Sequence, residues 1–333
     1  MHVVIPVGYN KEFPVTKKPQ TFLELAGKQV FSTILDKLKD HEVIVVTPFP
    51  KYFKNYDVQV LKDEHDGSAA SLRSIEKLVE GPFAVHFSDI FTPFRIEPLL
   101  ETHKENEALM TLAVNSCNKP SRYGVISMDP SGRVVRFLNN PRPDLVFSNL
   151  VSSGIMILEQ EVFDKIPYKM DMPELVNYLV QRKMNVYGHE SKTFWYHIGS
   201  VSEYVEANQD FLRRRMEMTQ EDVTSVNIYP PVSLSNVKGN SSFVGPYVSA
   251  YDVKVGKESK IRNSVIYPGA VIGDNVNVSD SVIGPKVRIS KNAIVTESLV
   301  GEGSKIGPNV KVGKSDVGID KEVRENIFEL KLI

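Results

Sequence analysis

Residues 255–283 read VGKESKIRNSVIYPGAVIGDNVNVSDSVI, and the spacing of their aliphatics decides half of the fold. Val255, Ile261, Ile266, Ile272, Val278 and Ile283 fall at intervals of 6, 5, 6, 6 and 5. Ile289, Val295, Val300, Ile306 and Val312 continue the series. A 6+5+6 pattern is a repeat of 17 residues, a period that neither an α-helix nor an alternating strand produces. It predicts a coil with three flat sides per turn, each aliphatic pointing inward and stacking on its counterpart one turn away. Gly256, Gly273, Gly284, Gly301, Gly307 and Gly313 directly follow six of these positions, and are expected to relieve the corners where the backbone bends. A single turn cannot bury its own apolar side, whereas stacked turns make a continuous core.

Upstream the pattern changes to short apolar runs alternating with helical stripes. Val3–Val7, Glu42–Thr47 and Phe83–Phe87 read as buried strands, and Phe31–Lys39 and Ser68–Glu80 as helices, the second with Leu72, Ile75, Leu78 and Val79 on one stripe. This alternation predicts an α/β domain with a mixed, mostly parallel sheet. Ala108–Asn115, Gly124–Met128 and Arg133–Leu138 lie closer together between turn residues and read as an antiparallel extension. Met172–Gln181 and Ser202–Arg215 read as helices. The expected organisation is an α/β domain over 1–220, a linker over 221–237 around Pro230-Pro231, coils over 238–316 and a tail over 317–333. Within the tail, Asp320–Leu332 suits a helix capped by Asp320 or a strand.

The 333 residues carry 40 Lys+Arg against 41 Asp+Glu, a net charge of −1 that gives no electrostatic reason to expect nucleic acid or an anionic membrane as partner. No apolar run approaches the roughly 20 residues that span a bilayer. The N-terminus lacks the basic and apolar regions of a signal peptide, and a single cysteine, Cys117, cannot form an internal disulfide. A cytoplasmic location is expected. All seven histidines precede residue 198, so the coils lack the general base that acyl transfer on such a scaffold needs. Packing or assembly is the expected role of the coils.

Neither a Walker loop nor a GxGxxG fingerprint is present. Gly8 and Lys11 follow the first strand. Asp66-Gly67-Ser68-Ala69-Ala70 enters the second helix from Ser68 with small residues whose amides suit an anion or a base edge, although an ordinary N-cap reads equally well. Ser88-Asp89 puts a carboxylate at the C-terminal rim of a strand, where ligands gather in α/β folds and where Mg²⁺ is shared with substrate phosphates.

Six blocks in order extend this reading: Lys18-Pro19-Gln20 with Leu25-Ala26-Gly27-Lys28, Asp66 to Ala70, Ser88-Asp89, Tyr123-Gly124-Val125, Ser153-Gly154-Ile155, and Trp195 to Ser200 with Glu203-Tyr204 and Glu206-Ala207-Asn208. From Val3 to about Leu212 the chain resembles the sugar-1-phosphate nucleotidylyltransferases, and its repeats resemble the left-handed β-helix that many members append. The resemblance implies a Rossmann-like nucleotidyltransferase domain in which a sugar 1-phosphate attacks the α-phosphate of an NTP, releasing pyrophosphate. It sets Gly8 and Lys11 in the phosphate loop, Lys62 and Gly67, with Ser68, at the nucleotide, Asp89 on the metal, and Tyr123, Gly124 and Gly154 beside the sugar.

The departures fall on the chemistry. Pro6-Val7 replaces the family's glycine pair, and Lys11 stands for its arginine. Gln20 aligns with the phosphate-contacting lysine, His197 with the second metal aspartate, and Asn139 with a sugar-contacting glutamate. Proline lacks an N–H, glutamine lacks the charge, and neutral imidazole is a poor ligand for hard Mg²⁺. The leading expectation is a catalytically impaired protein that binds a nucleotide, sugar phosphate or nucleotide sugar. It would act in regulation or assembly, as a homo-oligomer or with a catalytic paralogue, and use no cofactor. The alternative is an active enzyme in which Lys11, Lys17 or Lys18 reaches the phosphates and a divalent ion, Mg²⁺ or the softer Mn²⁺, sits on Asp89 and His197. A purely structural protein is the third reading.

Overall fold

The computed structural model describes residues 1–8, 13–214 and 219–330. The chain packs as two units: 1–8 with 31–195, and 9–30 with 196–333.

The first unit is built on a nine-stranded mixed sheet. Its strands are β1 (His2–Pro6), β2 (Glu42–Thr47), β3 (Gln59–Lys62), β4 (Phe83–His86), β5 (Met110–Ser116), β6 (Gly124–Met128), β7 (Val134–Asn139), β8 (Leu150–Leu158) and β9 (Val186–Glu190). The order is β7-β6-β8-β4-β1-β2-β3, with β5 between β8 and β9. Pairing is parallel from β4 through β1 and β2 to β3 and between β5 and β9, and antiparallel wherever β8 is a partner and between β6 and β7. Three helices accompany the sheet, α1 (Val30–Lys37), α2 (Glu97–Glu105) and α3 (Met172–Gln181). Met110, Leu112 and Val114 from β5 join Val85, Met156, Leu175 and Leu179 in one buried core. The alternating inward residues of the strands and the 3.6-residue stripe of α3 meet there.

The helix expected over Ser68–Glu80 is instead a tight 3-10 segment, Ala70–Ile75. Leu72, Ile75 and Val79 are buried as the stripe predicts, but Leu78 is 42 % exposed. Ser71 and Ser74 bond sideways to Asp63 and His65, and these side-chain attachments compete with a regular helical path.

The second unit holds a left-handed parallel β-helix, a seventeen-strand parallel sheet wound into coils. The eleven inward aliphatics from Val255 to Val312 are all 3 % exposed or less. Register partners lie 17 apart, as Val278 with Val295 and Val295 with Val312. The coils start before residue 238 and run past 316. Thr224–Ile228 and Val232–Val244 are strands where the linker was expected, and Asp316–Val317, Glu322–Val323 and Ile327–Phe328 continue the winding into the expected tail. Asp320 is a left-handed corner residue (φ 56°) and not a helix cap.

Corner geometry differs from expectation as well. One row of corners is Asn263, Asp280, Glu297 and Lys314, with φ between 46° and 54°. None of the six glycines after the inward aliphatics has positive φ. Their role is close approach: a Cβ on Gly273 would come within 2.9 Å of the Ile289 carbonyl oxygen on the next coil. The short polar side chains of Asn263 and Asp280 suit the left-handed bend, Glu297 and Lys314 adopt it as well, and only glycine lets adjacent coils approach so closely.

Residues 13–29 belong to this unit. The Glu302 amide donates to the Val15 carbonyl (3.0 Å), and the Glu24 amide to the Tyr267 hydroxyl (3.1 Å). Helix α4 (Val201–Arg214) contributes Tyr204, whose hydroxyl donates to the Glu24 carbonyl (2.5 Å) and lies 2.6 Å from that of Tyr267.

Candidate functional site

Strand β1 delivers the chain to Gly8, where a Cβ would meet nothing within 4 Å among the described residues. Immediately before it the site is closed. Val7 is 2 % exposed and its amide donates to the Val46 carbonyl (2.9 Å), so the pair at positions 6 and 7 lends no N–H to a phosphate. Lys11 lies outside the described residues.

Gln20 is 7 % exposed, and its Nε2 donates to the Phe13 carbonyl (2.9 Å). The amide thus clips the strap 13–29 to itself. Lys17, one of the three lysines the active-enzyme reading offers to the phosphates, is paired at 2.7 Å with Asp320, and that hydrogen bond raises its pKa. Its amide donates to Glu302 (2.9 Å). The Lys18 ammonium sits 6.0 Å over the Phe22 ring.

At the end of β3, Lys62 pairs with Glu64 (2.8 Å). Gly67 adopts φ +112°, and a side chain there would run into the Met170 carbonyl. The amides expected to face a ligand are engaged: Ser68 N–H donates to Asp171 Oδ1 (2.9 Å), and those of Ala69 and Ala70 to the Met170 carbonyl (3.0 Å each). Asp171 in turn starts α3, its amide donating to Glu174 (2.7 Å).

The residues expected beside a sugar do come together. Gly124 is the register partner of Asn139 across β6 and β7, and a Cβ on it would meet the Phe137 ring at 2.5 Å. The Tyr123 ring stands edge-on to Trp195 (centroids 4.8 Å, 73°), and Trp195 Nε1 donates to the carbonyl of Ser153 (2.7 Å), the neighbour of Gly154. Gly154 needs φ +78° and has Phe87 and Ile90 closing on it. Trp195 was not singled out from sequence as a site residue, although a lone tryptophan between two glycine motifs was a usable signal.

Asp89 follows β4 and is half-buried. Beneath it His86 is buried and held neutral: desolvation, then the Lys37 ammonium, lowers its pKa to about 3. Burial alone lowers Lys37 to about 8, and among the described residues its Nζ has no hydrogen-bond partner. In the second unit His197 Nδ1 is 3.3 Å from Glu203, and Ser200 caps α4 by accepting the Glu203 amide (3.3 Å). Among the described residues no three His, Cys, Asp or Glu side chains gather to hold a metal ion. The cleft of about 700 Å³ in this unit sets Glu206, Asp280, Glu297 and Asp316 against one Lys314, a sign of charge that repels phosphate. No described helix is long and apolar enough to cross a membrane.

The nucleotidyl transferase family model matches residues 18–214, more than half of the chain, and the GMPPB C-terminal domain matches 233–333. Curated relatives include a "Bifunctional protein GlmU" of Methanococcus maripaludis, 24 % identical over 60 % of this chain and 51 % of that protein. Mannose-1-phosphate guanylyltransferase 1 of Arabidopsis thaliana is 25 % identical over 62 % of this chain and 63 % of that one. The chain thus spans about half to two-thirds of the length of these relatives. A crystal structure from Bacillus anthracis, described as a glucose-1-phosphate thymidylyltransferase with sucrose, has a TM-score of 0.54 at 17 % identity, covering 66 % of this chain and 97 % of that one. That likeness concerns the fold.

Proposed function

We propose, from the premise that this chain belongs to the nucleotidyl transferase family, that it binds a nucleotide, sugar phosphate or nucleotide sugar without ordinary turnover. Its role in this reading is regulation or assembly, alone or with a catalytic paralogue. The observation that carries the proposal is Gln20. Where the resemblance sets a lysine on phosphate, this chain has a neutral amide, buried and spent on the Phe13 carbonyl. In-line attack on an α-phosphate needs positive groups to take up the developing charge. Here Gln20 is neutral, Lys17 is paired with Asp320 and the Ser68 amide with Asp171. Losing one such group commonly costs several kcal/mol of barrier, and about 1.4 kcal/mol is tenfold in rate.

The sugar side is better kept. The Tyr123 ring meets Trp195, which also holds the Ser153 carbonyl next to Gly154, and the two rings make an aromatic wall suited to a pyranose face. Binding without bond-making follows from a retained ring site and a disarmed phosphate site. The test has two arms. A thermal-shift series with nucleotides, sugar 1-phosphates and nucleotide sugars is expected to stabilise the protein with at least one of them. Pyrophosphate release from NTP and sugar 1-phosphate pairs, with Mg²⁺ or Mn²⁺, is expected to stay at background. Turnover at ordinary enzyme rates, abolished by Asp89→Ala, would refute the impairment.

A further inference from the structure

The flat side of the β-helix whose inward residues are Val255, Ile272, Ile289 and Ile306 presents a second column to solvent. Lys238 is in register with Lys254, Lys254 with Val271, Val271 with Arg288 and Arg288 with Lys305. Neighbouring strands lie about 4.8 Å apart, so the column runs about 19 Å along the coils. Lys238, Lys254, Arg288 and Lys305 are all exposed, and among the described residues none of them has an ion pair or a side-chain hydrogen bond. Like charges in direct register repel, so this column costs the coils stability and does not hold them together. Other outward columns do hold: Asn236 donates to Asp252 (2.8 Å), Asn263 to Asp280 (3.1 Å) and Asn292 to Asn309 (3.0 Å), each across one coil.

The middle of the column is hollow. Val271, its uncharged member, is half-buried, and Gly269 nearby has no side chain. Around these two a recess of about 360 Å³ opens among Lys238, Lys254 and Arg288. A Cβ on Gly269 would meet the Lys286 stem at 3.3 Å, which brings a further exposed and unpaired cation to the rim. Among the described residues the one carboxylate lining the recess is Asp252, and its Oδ1 already accepts Asn236 Nδ2. Glu322 ends the column and is paired with Arg324 (3.1 Å).

We infer that this side of the coils docks an extended acidic segment of a partner protein, its carboxylates on Lys238, Lys254, Arg288 and Lys305 and one aliphatic side chain seated in the recess over Val271. Length and hollow together select this occupant. An extended chain rises about 3.3 Å per residue, so about six residues cover the column while alternate side chains face it. Carboxylates then fall on both sides of a central apolar residue. Arg288 offers a planar fork to one carboxylate, and the lysines offer flexible point charges to the others. A single small anion would use a fraction of the column, and a nucleic-acid backbone brings no aliphatic side chain to the recess. This surface shares no residue with the nucleotide site and does not depend on that reading.

Fluorescence anisotropy of the full chain with a labelled nonapeptide tests it, the peptide having glutamate at its first, third, seventh and ninth positions, leucine at the fifth and serine between. The titration is run at about 0.15 M salt, where the Debye length of about 8 Å screens loose attraction between charges. Wild type is expected to bind this peptide about tenfold more tightly than one with serine in place of leucine, the order of one aliphatic side chain buried. Lys254→Glu and Arg288→Glu are each expected to weaken the leucine peptide about tenfold, with an unfolding midpoint equal to or above that of wild type because a like-charge contact is relieved. Val271→Lys fills the hollow and is expected to erase the difference between the two peptides. Affinity unaltered in Lys254→Glu and Arg288→Glu overturns the docking surface. Equal affinity of wild type for the two peptides overturns it too, because a bare positive patch would account for the binding. Duplex DNA bound more tightly than the leucine peptide, or neither peptide bound at all, has the same consequence.

Discussion

Gln20 and Lys37 show how a single side chain reads differently before and after folding. From sequence Gln20 is a missing charge; in the fold it is also a buried strut on the Phe13 carbonyl. Gln20→Lys is therefore expected to restore no turnover and to cost about 2 kcal/mol or more, because an ammonium would replace a satisfied amide at a 7 % exposed position. Urea unfolding and the pyrophosphate assay check both halves. Lys37 drew no attention in the sequence, where it looks like one more solvated lysine near a helix end. Its folded pKa of about 8 lies below the ordinary 10.5, so between those values the folded chain binds fewer protons than the unfolded one and stability rises with pH. Below pH 8 the full penalty of the buried ammonium applies. Lys37→Met is expected to be more stable at pH 7 by roughly 2–3 kcal/mol, the gain shrinking towards pH 10. Equal unfolding midpoints at pH 7 would contradict the burial. His86 has the same sign lower down: with a folded pKa of about 3 against 6.5, stability falls as pH drops through that interval.

The coils were legible as elements because their inward positions admit only aliphatics, and a 17-residue period has no competing explanation. A second period was equally present and harder to see. Ser264, Ser281, Ser298 and Ser315 are also 17 apart and are all 1 % exposed or less. Each hydroxyl donates to the carbonyl two residues back, and each accepts an amide from the following coil, as Ser298 N–H to Ser281 Oγ (3.1 Å). Serine is common on surfaces, so only burial shows that this column is a ladder. Ser281→Ala leaves the Ser298 amide unsatisfied and is expected to cost about 1–3 kcal/mol, measurable as a lowered unfolding midpoint. Unchanged stability would mean that water replaces the hydroxyl. The segment after Gly67 was the reverse case: its buried stripe was right except at Leu78, but its helix type was set by Ser71 and Ser74 bonding out of the segment.

For the molecule as a whole, the division into units does not follow chain order. A cut at residue 220, where composition suggests a boundary, would leave Glu24 and Tyr204 without Tyr267, and Lys17 without Glu302 and Asp320 on the coils. A fragment of residues 1–220 is expected to lack the cooperative unfolding of the full chain and to aggregate, as gel filtration and circular dichroism would report. A monomeric fragment as stable as the full chain would argue that the strap needs no coils. Local pattern was sufficient for what repeats or alternates: the buried strands, α3 and the inward column of Val and Ile. Partnership between distant segments was not, because hydrogen bonds such as Gln20 to Phe13, Ser68 to Asp171 and His65 to Asp63 depend on where the backbone brings each donor. Side-chain chemistry and spacing are written in the chain, but desolvation and pairing exist only once it has folded.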